Sequence, residues 1–295
     1  KEIAQTLAKS LTLKSSQSPE GVSEIVKIKD LLFASTGVIG EEFPYLKIKS
    51  RISELVKKLK TKQNKFVWFK AASAIMTTDT RPKVAYEECK IGNKLIKISG
   101  IAKGSGMIAP KMGTMLSYVF IEAPLNKSVL NKILSTNVRE TFNSISVDGD
   151  TSTSDTVMLF SLENKNKFIK INSKLIKLIS STIKKVMLNL AIKIVTDGEG
   201  ISKLIRVNLK NAKTKSQASN IAFSIAESLL VKTAVCGEDA NWGRVIMAIG
   251  KSGEKIDQNK FILKFGNITV ANKGTMYEKI NIKKLDQYMK NKIID

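Results

Sequence analysis

Apolar positions along the chain fall into short blocks whose spacing switches between helical and extended. Residues 1–30 read as an amphipathic helix, a polar loop around Ser15–Gly21 and a second short helix. The apolar run Leu31–Ala34 leads into Ser35–Gly40, whose glycines suit a strand-to-turn transition. Residues 50–76 place Ile52, Leu55, Val56 and Leu59 at helical spacing. The extended runs Val84–Cys89 and Leu95–Ile101, joined by Gly92-Asn93, predict a hairpin. Tyr118–Ile121 reads as a strand, 125–138 as a helix, Asp148–Asp155 as a polar turn and Thr156–Ser161 as a further strand. Beyond it come a helix over 173–195, a strand over Ser202–Leu209, a helix over 214–230 and a glycine-punctuated strand region over 231–270.

This mixture of short strands and helices predicts an α/β (α+β) protein. The Asn/Lys-rich stretch Glu163–Lys170 marks the expected boundary between a domain at 1–165 and another at 166–295. With 295 residues the chain can bury a real core, and 43% hydrophobic against 25% charged residues excludes a disordered protein. No stretch reaches 18 uncharged apolar residues, so no membrane span is expected. The chain begins with Lys1 and no signal peptide is evident, which predicts a fragment or a processed chain.

Absences narrow the chemistry further. The sequence has no histidine, so Ser-His-Asp and Cys-His catalysis and His-ligated metals are excluded. Cys89 and Cys236 stand far apart with no CxxC, which excludes a zinc ribbon or disulfide scaffold and predicts a reducing, cytoplasmic setting. The net charge of +23 is carried almost wholly by scattered lysines, with arginine only at 51, 81, 139, 206 and 244. Specific base reading and phosphate clamping rest mainly on arginine, so solvated charge is favoured over specific nucleic-acid binding.

Several short motifs could carry reactions. Lys103–Pro110 is glycine-rich but lacks P-loop spacing. It is followed by Lys111–Leu116, where Gly113 precedes Thr114. This is either a turn before a strand or a self-cleaving bond. Glycine permits a strained peptide, the Thr114 hydroxyl could attack the Gly113 carbonyl to give an ester that water cleaves, and the freed α-amine, pKa about 8, could then act as base for the restored hydroxyl. Asp148-Gly149-Asp150-Thr151 matches the DxDxT of Mg²⁺-dependent haloacid-dehalogenase phosphatases, with Asp148 as nucleophile and Asp150 as acid, or else an Asx-rich turn. Met76–Thr80, Asp197–Gly200 and Cys236–Arg244 offer hydroxyls, carboxylates and an Asp-Asn-Trp-Arg cluster, each compatible with a turn or a buried polar network.

Taken in order, Ala34–Gly40, Met76–Thr80, Ala102–Leu116, Val147–Thr153, Asp197–Gly200 and Gly237–Arg244 resemble the ornithine acetyltransferase, or glutamate N-acetyltransferase, family. The resemblance runs from about residue 30 to the end. It implies a layered α/β/β/α nucleophile domain with a smaller α/β C-terminal domain. It implies self-cleavage between Gly113 and Thr114 into α and β chains that assemble as a homo-oligomer of αβ pairs. Thr114 would be the nucleophile, Thr36 and Gly37 the oxyanion-hole pair, and Thr77, Lys103, Thr114 and Glu199 the substrate contacts. Charge pairs Glu199 with the substrate amine and Lys103 with its carboxylate. Acetyl would pass from N2-acetyl-L-ornithine to L-glutamate through an acetyl-threonine in arginine biosynthesis, with no metal or resident cofactor and with acetyl-CoA open as a second donor. Gly113 stands where alanine is commoner in the family, and Lys111 where a smaller polar residue is usual. Measured against that family, both ends are short, and Asn291 is not assigned as a ligand. A self-processing β-aminopeptidase, the phosphatase and a lysine-rich binding protein are the competing readings.

Overall fold

The computed structural model describes residues 1–16, 25–59, 64–92, 94–109, 115–162 and 172–295. Its contacts divide into two units, Lys1–Lys70 and Ala71–Asp295. The boundary expected at 165/166 falls within 163–171, outside the described residues.

In the first unit α1 (Glu2–Ser16) packs on α2 (Tyr45–Lys58), burying Ala4, Ala8, Ile52 and Val56. A Glu2–Lys49 ion pair at 2.6 Å joins the two helices on their exposed side. The expected single helix over 50–76 is two: α2 gives way at Leu59, whose ψ of 122° is extended, and α3 (Lys65–Ala74) starts afresh. Residues 31–38 are neither helix nor strand, so the expected strand there does not form. A turn follows, closed by the Glu41 N–H donating to the Val38 carbonyl, with Gly40 at φ +90°.

The second unit is built on a four-stranded sheet of order β1-β2-β3-β4: β1 (Lys83–Ile91), β2 (Lys94–Lys103), β3 (Leu116–Ile121) and β4 (Thr156–Ser161). The first two form the expected hairpin, and β2 and β3 are also antiparallel. β3 and β4 run parallel, which requires the crossover supplied by α4 (Lys127–Arg139). Strand alternation turns Ile96, Ile98, Gly100 and Ala102 toward α5 (Ser173–Val195). A Cβ on Gly100 would stand 2.9 Å from Leu190 Cδ1 and 3.0 Å from Val186 Cγ1, so the missing side chain lets helix and strand close up. Ile179, Ile183, Val186, Met187, Leu190 and Ile194 recur along α5 every three or four residues and are fully buried. Asn126 and Asn172 cap α4 and α5 by accepting from the N–H three residues on.

A second apolar core follows in sequence. α6 (Lys215–Ala226), α7 (Leu229–Cys236), α8 (Trp242–Lys251) and α9 (Ile282–Met289) surround it. The strands of this region form two separate sheets, an antiparallel one of β6 (Ile262–Phe265), β7 (Ile268–Asn272) and β8 (Thr275–Met276), and a two-residue parallel pair of β5 (Leu204–Ile205) with β9 (Ile293–Ile294). Three expectations need correcting here. The predicted helix 214–230 breaks because Ser228 accepts from Val231 N–H and starts α7. The predicted strands over 231–270 are helical as far as Lys251, because Val231, Ala234, Val235 and then Val245, Ala248, Ile249 each make one buried stripe. Strand Ser202–Leu209 is reduced to Leu204–Ile205, the two residues that find a partner in β9. The class is mixed α/β, as expected. No single helix among the described residues is long and apolar enough to cross a membrane.

Candidate functional site

At one end of the β1–β2 hairpin three segments meet: the loop after α3, the segment leaving β2, and the turn after α5. Lys83, at the start of β1, is wholly buried between two buried carboxylates. Its Nζ donates to Asp79 Oδ1 at 2.5 Å and to Asp197 Oδ2 at 2.6 Å. Asp79 Oδ1 also accepts the Gly104 N–H at 2.7 Å, and Asp79 Oδ2 accepts the Thr77 N–H at 3.2 Å. Asp197 takes the Thr80 N–H at 3.1 Å and the Thr80 hydroxyl as well. Burial alone would raise both carboxyls, but the Lys83 hydrogen bond and the N–H donors outweigh it and hold both below the ordinary carboxylate value.

The segment from Lys103 to Gly106 is tied on both sides. The Ser105 hydroxyl donates to the Asp197 carbonyl at 2.7 Å, and the Glu199 N–H donates to the Ser105 carbonyl at 3.0 Å. The Glu199 carboxylate lies against Gly106, where a Cβ would come within 2.7 Å of Oε1. Lys103 is 1% exposed, and its Nζ reaches the Thr77 hydroxyl at 3.5 Å. Burial pushes the Lys103 ammonium below its usual value, opposed by the charges of Asp79 and Asp155. Thr77, Lys103 and Glu199 thus meet at the segment Lys103–Gly106.

Asp148 is spent on the same loop. Its Oδ2 accepts the Met107 N–H at 2.6 Å, and its Oδ1 accepts the N–H groups of Ile108 and Asp150, each at 3.0 Å. Met107 is held at φ +51°, a conformation uncommon for a side-chain-bearing residue. The Asx-turn reading is the one the geometry bears out. Asp148 as phosphatase nucleophile is corrected, because both its oxygens already accept backbone donors, and Asp150 is exposed. Asp155 Oδ1 accepts the Met115 N–H at 2.7 Å, while its Oδ2 is buried without a hydrogen-bond partner among the described residues. Burial lifts this carboxyl to about 6, against the Met115 hydrogen bond and the charge of Lys103.

Gly113 and Thr114 lie outside the described residues. Thr36, half-buried, and Gly37, exposed, belong to the first unit, whereas Thr77, Lys103 and Glu199 belong to the second. In Cys236–Arg244 the Asn241 side chain caps α8, and Arg244 Nη1 donates to the Leu230 carbonyl and the Thr233 hydroxyl, so this motif braces α7 against α8. Sequence reading noted the Asp79 carboxylate only within its motif and did not single out Lys83 or Asp155. The available signal was a lysine on the inward parity of β1, with Ala85 and Cys89.

Comparison with known proteins gives the family of the chain. The bifunctional arginine biosynthesis protein ArgJ of Bradyrhizobium diazoefficiens is 43% identical over 269 residues, 90% of this chain and 63% of that protein. The protein of the same name from Brucella suis is 46% identical over 250 residues, 83% and 60% respectively. The chain thus spans about three fifths of the length of these curated relatives. The crystal structure of ArgJ from Bacillus halodurans superposes with a TM-score of 0.53 at 31% identity, covering 59% of this chain and 82% of that one. The model of the ArgJ family matches residues 8–295, and the chain belongs to that family.

Proposed function

We propose that this chain is the acetyl-transferring part of a glutamate N-acetyltransferase that moves acetyl from N2-acetyl-L-ornithine to L-glutamate. The observation that carries the reading is the convergence of Thr77, Lys103 and Glu199 on the segment Lys103–Gly106, which offers a cation and an anion to the two ends of an amino acid. The relatives' printed name, a bifunctional protein of arginine biosynthesis, supports the same substrate class. Lys103 and the Thr77 hydroxyl take the α-carboxylate, and Glu199 takes the amine.

In this reading the chain cleaves itself between Gly113 and Thr114. The Thr114 oxygen then bonds the acetyl carbon, the amide C–N bond of acetylornithine breaks, and the hydroxyl proton passes through the Thr114 α-amine to the leaving nitrogen. Thr36 and Gly37 donate to the developing oxyanion, each donor worth about 3–4 kcal/mol. Glutamate's amine attacks the acetyl ester, the C–O bond breaks, and the proton returns to the Thr114 oxygen. The enzyme works in the cytoplasm as a homo-oligomer of αβ pairs with no resident metal or cofactor, and acetyl-CoA stays open as a second donor.

Intact mass beside a Thr114→Ala control tests the nucleophile. Two pieces, 1–113 and 114–295, with only the control uncut, are expected; a wild type that stays uncut and transfers no acetyl overturns the reading. Product analysis decides between acceptors. Acetylglutamate is expected, and release of free acetate alone would turn the reading to a self-processing β-aminopeptidase.

A further inference from the structure

The buried Asp79–Lys83–Asp197 cluster lies outside the proposed substrate contacts, yet Thr77, Lys103 and Glu199 all sit on segments tied to it. Asp79 is the pivot. One of its oxygens fixes the backbone of Thr77; the other fixes Gly104, the residue next to Lys103, and is itself held by Lys83. Among the described residues the charged groups facing Lys103 are Asp79 from the loop before β1, Asp155 from the turn before β4, and Lys83 from β1. None of them forms an ion pair with Lys103, whose hydrogen-bond partner is the Thr77 hydroxyl. Among the described residues the ammonium is therefore buried with no carboxylate in ion-pair contact.

We infer that Asp79 is the positioning residue for carboxylate recognition: locked by Lys83, it sets Thr77 and the Lys103–Gly104 backbone in register and supplies the negative charge that keeps the buried Lys103 ammonium ready for a substrate carboxylate. This rests on the proposed role of Lys103. Burial already lowers the proton affinity of Lys103, and Asp79 acts against that loss. A lysine binds carboxylate below its pKa and loses it as pH rises through that value, so removing the Asp79 charge moves the loss to lower pH.

The test uses Asp79→Asn, Asp79→Glu and Lys103→Met, with two readouts. Asparagine has one acceptor where Asp79 accepts on both oxygens, so KM for the carboxylate substrate is expected to rise about tenfold or more, with kcat changed less. The alkaline limb of the pH–KM profile should also shift to lower pH. Asp79→Glu keeps the charge and misplaces it, so KM should rise while the limb stays where it is in the wild type. Lysine-selective ¹³C NMR titration, with the Lys103 signal assigned by its loss in Lys103→Met, reads the ammonium directly and needs no turnover. A Lys103 titration and a KM unchanged in Asp79→Asn, with KM raised in Lys103→Met, overturn the inference alone. A KM unchanged in Lys103→Met overturns the carboxylate reading beneath it.

Discussion

The two cores of the second unit are held by different physics. The core that runs from Ala85 to Ile194 is interlaced with buried polar and charged side chains, among them Asp79, Lys83, Lys103, Asn137 and Asp197. The core from Ile221 to Ile294 has none: among the described residues every buried side chain along that stretch is apolar. Its polar contacts are to backbone or at the surface: Lys203 donates to the Met289 carbonyl at 2.7 Å, Ser224 to the Ala248 carbonyl at 2.5 Å, and the exposed Arg206 to Asp295 at 2.6 Å. Apolar burial is non-directional and tolerates repacking. A lysine between two carboxylates is satisfied only when three particular segments arrive together. The charged knot thus fixes which loops meet, and it lies where the candidate site is; the apolar core has only to hold.

The sharpest break of this contrast is Lys83→Met. It leaves two buried carboxylates facing each other, and a loss of about 3–5 kcal/mol is expected in denaturant unfolding. A loss below about 1 kcal/mol would contradict a knot that registers the loops. Met289→Ala in the apolar core and Met187→Ala in the first, both at zero exposure, should each cost about 2–5 kcal/mol. Activity should fall only with the folded fraction in both, which kcat and KM measured well below the melting point will show.

Gly106→Ala has a smaller thermal effect and a specific functional one. The added methyl must displace the Glu199 carboxylate, so kcat/KM is expected to fall about tenfold with little change in melting temperature. Equal losses toward substrates with and without a free amine would contradict Glu199 as the amine's partner. The smallest effect belongs to Asp155. Its folded value of about 6 stands above the ordinary 3.8 of an aspartate, so the native state binds more protons between those limits. Stability from this group is therefore full below pH 3.8 and is lost as pH rises toward about 6. Asp155→Asn, which can still accept the Met115 N–H, should flatten the fall in melting temperature across that window.

How much of this was legible in the sequence follows from distance along the chain. The helix at 173–195 and the hairpin of β1 and β2 were readable because their periodicity is local and their partners are adjacent. Region 231–270 was misread because its glycines outweighed the caps at Ser228 and Asn241, which were the better signal. The motifs holding Thr77, Lys103 and Glu199 were visible as strings, and so were Asp79 and Asp197 within them. That Lys83 joins the two carboxylates was not, since it lies 114 residues from Asp197 and no local pattern encodes such a meeting. Asp155 was hidden for the same reason: it answers Met115, 40 residues away.

One consequence follows from strand order. β2 and β3 are neighbours along six residue pairs, from Ile98–Ile121 to Lys103–Leu116, and α5 covers the hairpin from the far side of the chain. Cutting the proposed bond between Gly113 and Thr114 would put β1 and β2 on one polypeptide, and β3, β4 and α5 on the other. The seam between the two products would then run through the middle of a hydrogen-bonded sheet and its core. Such halves could not trade partners with other copies or drift apart by dilution; only unfolding would part them, so the cut would change the chemistry of one residue without creating a subunit interface in the ordinary, reversible sense.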